Sequence, residues 1–371
     1  AIIAGGGLAG LALSIQLAKA GYKVILFEKE QYPFHRVCGE YISLESRDFL
    51  ISLGVNLDSL HLPVITQLQV SAINGKLLEL ELPLGGFGIS RYLLDATLAQ
   101  IARSHGVIIR EQTRVNDIIF SNDNFIVEAS GINYTAKIVA GSFGKRSNID
   151  IKWKRPFTAV KKSKLNNYIG VKYHLRTKFP ADTIALHTFP NGYCGVVKIE
   201  GDVYNCCYLT TADNLQKSGG SILQMEKTIL SENPYLYKLF SLAEKINEEP
   251  VTISQISFDK KSQVDDHVLM VGDAAGMITP LCGNGMSMAL HGSKLAFQSI
   301  DLFLKHTIDR DEMEKQYSTQ WQKEFGSRLQ MGRRIQRLSG NPSLMKIFIG
   351  AGKLFPWIMK KMIRQTHGAA F

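Results

Sequence analysis

The chain has 371 residues, 45% of them hydrophobic and 20% charged, and carries a net charge of +10. That length allows two packed regions with a sizeable core, and no apolar run reaches the roughly eighteen residues that a spanning helix needs. The basic excess can attract anionic lipid, nucleic acid or an anionic cofactor, but no RRM, zinc-finger or helix-turn-helix pattern is present, which sets nucleic acid aside.

Residues 1–28 read strand, glycine turn, helix, strand: a short strand Ala1–Ala4, a helix from about Leu8 to Ala20 closed by Gly21, and a strand Lys23–Glu28. Because the sequence opens directly on a strand, no signal peptide is expected, and its numbering is expected to start a few residues inside the gene product. A helix is expected over Leu44–Leu53, ended by Gly54. Alternating stretches Ile65–Ile73 and Lys76–Leu82 flank Asn74-Gly75, a strong hairpin signal. An amphipathic helix Arg91–His105 precedes a meander of short strands through residues 107–141. The character changes over 155–260: strands at Tyr168–Arg176, Thr183–Phe189, Val196–Glu200 and Val203–Thr211, one helix around Ser221–Glu244, and a strand Val251–Phe258. A buried strand His267–Val271 then leads to a helix from about Gly285 to Lys305, and the tail 311–371 reads as helices broken at Pro342 and Pro356. Cysteines at 38, 194, 206, 207 and 282 form neither a disulfide framework nor a zinc pattern, so no metal is expected and a reducing cytoplasm is the simplest setting.

Gly5-Gly-Gly7-Leu-Ala-Gly10 is a GxGxxG turn between a strand and a helix. Gly5 permits the tight turn, Gly7 lets backbone approach a pyrophosphate, and Gly10 lets the helix pack close to the strand. The helix opened by Leu8 and Ala9 offers free N–H groups and a positive dipole to phosphates. Glu28, eighteen residues past Gly10 and followed by Lys29, stands where a carboxylate accepts ribose hydroxyls and repels a 2′-phosphate, which disfavours NADP in this motif. A second motif, Gly272-Asp273-Ala-Ala-Gly276 followed by Pro280-Leu-Cys-Gly283-Asn284-Gly285-Met286, again follows a strand and enters a helix. Asp273 suits ribityl hydroxyls, and the N–H groups at Gly285 and Met286 suit negative charge at a flavin N1–O2 edge.

The paired motifs, about 260 residues apart, resemble the flavoprotein superfamily of p-hydroxybenzoate hydroxylase, geranylgeranyl reductases and flavin-dependent halogenases, over roughly residues 1–310. The resemblance implies one extended FAD and an α/β fold: an FAD-binding Rossmann-like domain of the p-hydroxybenzoate hydroxylase/glutathione reductase type, an antiparallel-sheet substrate domain and C-terminal helices. The expected division is 1–62 with 91–154 and 262–310 for FAD, 63–90 with 155–261 for substrate, and a helical region 311–371. Arg91 matches the arginine that opens the helix after the hairpin, close to the cofactor. The Asp-Gly pair of the hydroxylases is missing, because Phe143 stands where Asp is expected in Gly141-Ser-Phe-Gly144.

Phe34-His-Arg36-Val-Cys38-Gly39-Glu40 resembles the Lys/Arg-x-Cys-Gly segment of geranylgeranyl reductases, in which the cysteine lies beside the flavin. Cys38 and Glu40 are the candidate catalytic groups, a thiol being able to give a proton to a reduced alkene, and Arg36 is a candidate to offset flavin or phosphate charge. Leu186-His-Thr-Phe189-Pro190-Asn-Gly192-Tyr193 only partly echoes the reductases' aromatic substrate motif, and His187 is a second possible proton donor. The Trp-x-Trp segment of halogenases is absent, Trp153, Trp321 and Trp357 being far apart. The leading expectation is reduction or desaturation of a C=C bond in an apolar lipid-like or polyketide-like substrate. Hydroxylation of an aromatic or polyketide through a flavin hydroperoxide comes next, then halogenation, then a flavin-stabilised carrier without turnover. With one dinucleotide fingerprint, electrons must come from a transient NAD(P)H or from a small donor such as reduced ferredoxin. Residues 344–364 mix Lys and Arg with Met, Phe and Trp, as a helix on a membrane surface or over an apolar tunnel does. No pattern in the sequence sets an oligomeric state.

Overall fold

Strand β1 (Ile2–Ala4) lies near the middle of a parallel sheet because its three residues are buried on both faces. The computed structural model describes residues 1–159, 167–247, 249–279, 283–339, 342–355, 357, 359, 362–363, 365 and 368–371. After β1 comes helix α1 (Leu8–Lys19), whose Ala and Leu residues are buried nearly all round, and then β2 (Ile25–Phe27). Helix α2 (Arg47–Leu53) is shorter than the expected helix, because residues 44–46 form a 3-10 turn first. Gly54 ends it in the left-handed conformation. Strand β3 (Tyr41–Ser43) leaves this region to pair with the second sheet.

The expected hairpin forms between β4 (Val64–Ser71) and β5 (Leu77–Gly88), with Ala72 and Lys76 closing the loop around Asn74-Gly75. Ser90 caps α3 (Arg91–Ser104) by accepting from the Leu93 N–H at 3.0 Å. The meander follows: β6 (Ile108–Arg110) joins the parallel sheet, β7 (Val115–Ser121), β8 (Asn124–Ala129) and β9 (Ile132–Ala136) form a separate three-stranded sheet, and β10 (Val139–Gly141) returns beside β1. Short helix α4 (Asn148–Lys152) starts in a capping box made by Ser147 and Asp150.

Strands β11 (Tyr168–Arg176), β12 (Thr183–Phe189), β13 (Gly192–Lys198) and β14 (Tyr204–Thr211) carry the second sheet. Its order is β11-β14-β13-β12-β4-β5-β3, antiparallel apart from the parallel β4–β12 ladder. β13 starts at Gly192, four residues before the expected Val196, because the turn at Asn191 is tight enough for Phe189 to pair with Gly192.

The single helix expected over Ser221–Glu244 is not formed. After a short helix α5 (Ala212–Lys217), the segment breaks into α6 (Ile222–Thr228) and α7 (Pro234–Leu242). Pro234 cannot sit inside a helix but suits the first turn, and Asn233 caps it by accepting from the Tyr235 N–H at 3.0 Å. The amide of Asn233 also donates to Ser71 Oγ, Ala72 O and Thr188 O, which pins the break to the sheet. Strands β15 (Glu244–Lys245) and β16 (Val251–Ile256) line the β11 edge.

The chain then re-enters the first sheet through β17 (Val264–Asp265) and β18 (Val268–Met270), giving the order β17-β18-β10-β1-β2-β6. Helix α8 (Gly285–Leu304) packs along α1, and α9 (Arg310–Ser339) packs along α8 through Met313, Tyr317, Trp321 and Phe325. The first tail helix therefore covers the dinucleotide-binding region, whereas α10 (Pro342–Leu354) packs on the second sheet through Met345 and Ile349. Among the described residues, no helix is long and apolar enough to cross a membrane.

Candidate functional site

A cleft of about 1000 Å³ opens where the C-terminal ends of β1, β2, β10 and β18 face the second sheet, the upper end of the range for cofactor pockets. Carboxyl ends of parallel strands are where such sheets bind ligands, because helix N-termini and chain reversals gather there. Of the sequence-predicted contacts, Gly5, Gly7, Leu8, Ala9, Glu28, Lys29, Arg36, Cys38, Glu40, Arg91, Asp273, Gly283, Gly285 and Met286 line this cleft. Gly10, Gly276 and Asn284 do not, and Pro280 falls outside the described residues.

The first turn is set by contact. Gly5 has φ +113, and a Cβ on it would press into the Ser142 carbonyl. A Cβ on Gly10 would press into the Gly5 carbonyl, so Gly10 serves helix packing. At Gly7 a Cβ would face open cleft, with the Arg91 guanidinium 3.7 Å away. Gly276 is a packing position, because its missing side chain makes room for the Trp321 ring, 2.5 Å from where a Cβ would stand. The N-termini of α1 and α8 both lack a side-chain cap and both open on the cleft, at Gly7 and Gly285. Two sets of free N–H groups thus converge on one space, which favours anionic or electron-rich ligand atoms.

Beside the first turn runs an alternating chain of charges. Glu28 Oε2 accepts from the Gly6 N–H at 2.9 Å and from Arg36 at 2.7 Å, and Glu28 Oε1 accepts from the Glu30 N–H at 3.1 Å. That leaves about one of the four lone-pair positions of the carboxylate for a ribose hydroxyl. Arg36 also reaches Asp95 at 3.3 Å and lies over the Phe34 ring at 4.2 Å. Arg91 grips the same Asp95 with two bonds of 2.8 Å. Sequence reasoning missed Asp95, although its position four residues after Arg91 on a predicted helix is a readable signal.

The segment 34–40 bridges the two sheets. The Cys38 thiol is half-buried, 3.2 Å from Met286 Sδ at the start of α8, and lies within hydrogen-bonding reach of Arg91. Asn205 on β14 holds the Cys38 carbonyl at 3.1 Å. Glu40 is fully buried, and both its oxygens are taken: Oε1 by the Lys172 ammonium and by the Arg91 N–H at 2.8 Å, Oε2 by His174 at 2.7 Å. Burial alone would raise the Glu40 carboxyl, but Lys172 and His174 outweigh it and hold the carboxyl below its usual range. Lys172 and His174, two residues apart on β11, face the same way and were not foreseen. The carboxylate expected as a catalytic group is therefore spent on a buried ion cluster.

Asp273 lies in a 3-10 turn at the cleft wall, and its carbonyl accepts from Lys261 at 2.8 Å. Burial pushes the Lys261 ammonium down to about 8 against the pull of Asp273. The Phe143 ring, in place of the expected Asp, fills the space a Cβ on Gly141 would take and forms part of the wall. The other end of the cleft is apolar, with Ile184, Leu186, Tyr193, Val197, Leu209, Ile253 and Met277 in its walls. His187 is turned away from it, bonded to Ser71 at 2.8 Å, and burial lowers its imidazole to about 4. Phe189 packs against Tyr208 in a separate core. Among the described residues no His, Cys, Asp or Glu cluster could hold a metal.

Residues 1–36 match the model of the FAD binding domain family. The conditioned medium factor receptor 1 of Dictyostelium discoideum is 24% identical over 88% of this chain and 68% of its own length. The digeranylgeranylglycerophospholipid reductase of Methanococcus vannielii is 25% identical over 86% of this chain and 81% of its own. Among solved structures, the flavin-dependent halogenase CmlS matches with a TM-score of 0.75 and 21% identity, over 89% of this chain and 62% of CmlS, so the chain spans less than two thirds of that protein. A geranylgeranyl bacteriochlorophyll reductase-like protein of Thermoplasma acidophilum matches with a TM-score of 0.75 and 17% identity, over 91% of this chain and 87% of that one. The glycine cradle, the two uncapped helix N-termini and the size of the cleft fit FAD, which is the cofactor.

Proposed function

We propose that this chain, an FAD-binding flavoprotein of the p-hydroxybenzoate hydroxylase superfamily, reduces or desaturates a C=C bond in an apolar, lipid-like or polyketide-like substrate. One observation carries the reading: a single cleft is lined by the glycine turn, by Cys38 and Met286, and by an arm of aliphatic and aromatic side chains from the second sheet. An apolar chain fills such an arm and excludes water from the reacting end. The reductases among the relatives support the same direction.

FAD supplies the two-electron chemistry when bound; the protein supplies binding, orientation and a proton. The turn at Gly5–Gly7 and the first N–H groups of α1 suit the pyrophosphate, and the remaining acceptor position on Glu28 suits one ribose hydroxyl. Asp273 suits the ribityl chain, and the N–H groups opening α8 at Gly285 and Met286 suit the electron-rich edge of the flavin. Arg91, fixed by Asp95, sets a permanent positive charge beside the Cys38 thiol. Cys38 is the proton-bearing group where the polar and apolar parts of the cleft meet, and Glu40 positions the loop that carries it.

The test is anaerobic mixing of the yellow protein with NADH, NADPH or reduced ferredoxin, with and without isoprenoid and phenolic ligands, following bleaching of the flavin band. The reading expects reduced protein to hand its electrons to an alkene-bearing apolar ligand without oxygen. Turnover that strictly needs oxygen and puts it into product would replace this reading with that of a monooxygenase. A requirement for oxygen together with halide would replace it with that of a halogenase.

A further inference from the structure

Helix α10 is apolar on two opposite sides, which one packed interface does not explain. Its inner side is tight against the second sheet: Met345 and Ile349 are buried, and a Cβ on Gly352 would meet Leu78 at 2.8 Å. Met345 and Ile349 share one cluster with Leu186, Tyr193, Leu209 and Met277, which also wall the apolar arm of the cleft. The helix therefore backs that arm. Its outer side is also apolar, yet no described residue covers it: Ile347 is 66% exposed, Leu354 75%, Phe355 49% and Trp357 65%. Ile347, Leu354 and the exposed Ala351 between them recur at helical spacing, so they form one stripe. Lys346 and Lys353, both exposed, flank it.

Charge selects the occupant. Residues 342–371 contain Lys346, Lys353, Lys360, Lys361 and Arg364 and no Asp or Glu, so five of the ten net positive charges fall in the last thirty residues. A basic helix with Ile, Leu, Phe and Trp on its free side has the composition of one that lies in a lipid interface, with aromatic residues at headgroup level and cations on anionic lipid. We propose that the outer side of α10 and the residues just after it dock on an anionic lipid bilayer surface, so that the inner side of the same helix lies between the bilayer and the apolar arm. A lipid-like substrate would then reach the cleft without crossing water. This deepens the reading of the substrate above, but docking itself requires no turnover.

The experiment is flotation of the FAD-loaded full chain with phosphatidylcholine vesicles, with and without phosphatidylglycerol, at low and high salt. The wild type should float with the anionic vesicles and bind at least about tenfold more weakly when the anionic lipid is left out or the salt is raised. The variant Ile347→Ser/Leu354→Ser/Phe355→Ser should lose at least about tenfold in binding while keeping its FAD, since all three side chains are exposed. As a second readout, brominated anionic lipid should quench the wild-type tryptophan emission, and Trp357→Phe should remove that quenching. Wild type that stays off anionic vesicles overturns the proposal, as does equal flotation of the triple variant. So does a dimer that the triple variant dissolves while vesicles remain unbound, which would make a second copy the occupant. Reduction of a detergent-dispersed alkene tests the functional reading separately, so the two can fail independently.

Discussion

Replacing Glu40 with Ala removes the shared partner of three groups at once. The buried Lys172 ammonium loses its counter-charge, the buried His174 imidazole its hydrogen-bond partner, and the Arg91 N–H its acceptor. Removing one member of a buried ion pair costs about 3–5 kcal/mol, mostly because the survivor is left desolvated. At roughly 2 cal/mol/K per residue, that corresponds to a fall in Tm of about 4–6 °C for a chain this long. Replacing all three groups together, as Glu40→Leu/Lys172→Met/His174→Leu, should recover most of the loss, since no stranded charge remains. The pH dependence has a definite sign. The Glu40 carboxyl is held below its usual value in the folded protein, so its stabilisation is complete above the unfolded value of about 4.3 and drains away as pH falls through the folded one. Urea unfolding of wild type and Glu40→Ala at neutral and acid pH measures both points. The gap should be widest near neutrality and shrink below about pH 4. A gap under about 1 kcal/mol at pH 7, or one that persists unchanged into acid, would refute the account of this cluster.

Three further outcomes follow from the same geometry. Gly10→Ala drives a methyl into the Gly5 carbonyl, so the protein should purify without FAD or fail to fold; a yellow, fully loaded variant would show the contact to be soft. Glu28→Ala strips the acceptor from the Gly6 N–H and from Arg36, and FAD affinity measured by fluorescence titration should fall about tenfold or more; an unchanged affinity would mean that the ribose lies elsewhere. Lys261 carries a folded-state value lowered by burial to about 8, so between about pH 8 and 10.4 the unfolded chain binds more protons and stability should rise with pH by up to about 3 kcal/mol. Lys261→Met should flatten that rise, and an equal slope in both proteins would remove Lys261 as its source.

What the sequence made legible is what backbone geometry dictates locally. Gly5 and Gly10 are needed because a chain reversal and a close helix–strand approach leave no room for Cβ atoms, whereas Gly7 keeps the cleft floor bare, and both demands are written in single residues at fixed offsets. The second motif was readable at Gly283, which has φ +65, and at Gly285, which opens α8 on the cleft, but Gly276 was not. A glycine admitting the Trp321 ring looks the same in sequence as one admitting a ligand, and only the path of α9 distinguishes them. The helix expected over Ser221–Glu244 failed at a visible signal, Asn233-Pro234, which outweighs the apolar periodicity around it. Glu40 is the hardest case. Its partners Lys172 and His174 lie more than 130 residues away, and their approach depends on β3 carrying the chain from the loop after β2 to the second sheet. A carboxylate two residues from a candidate thiol reads as chemistry when only neighbours in sequence are known. Once β11 supplies the Lys172 ammonium and the His174 imidazole on one face, the same carboxylate becomes the tie that holds Cys38, Arg91 and the apolar arm in register. Function in this fold thus rests on a local cradle that a motif can announce and on a long-range clamp that no motif can.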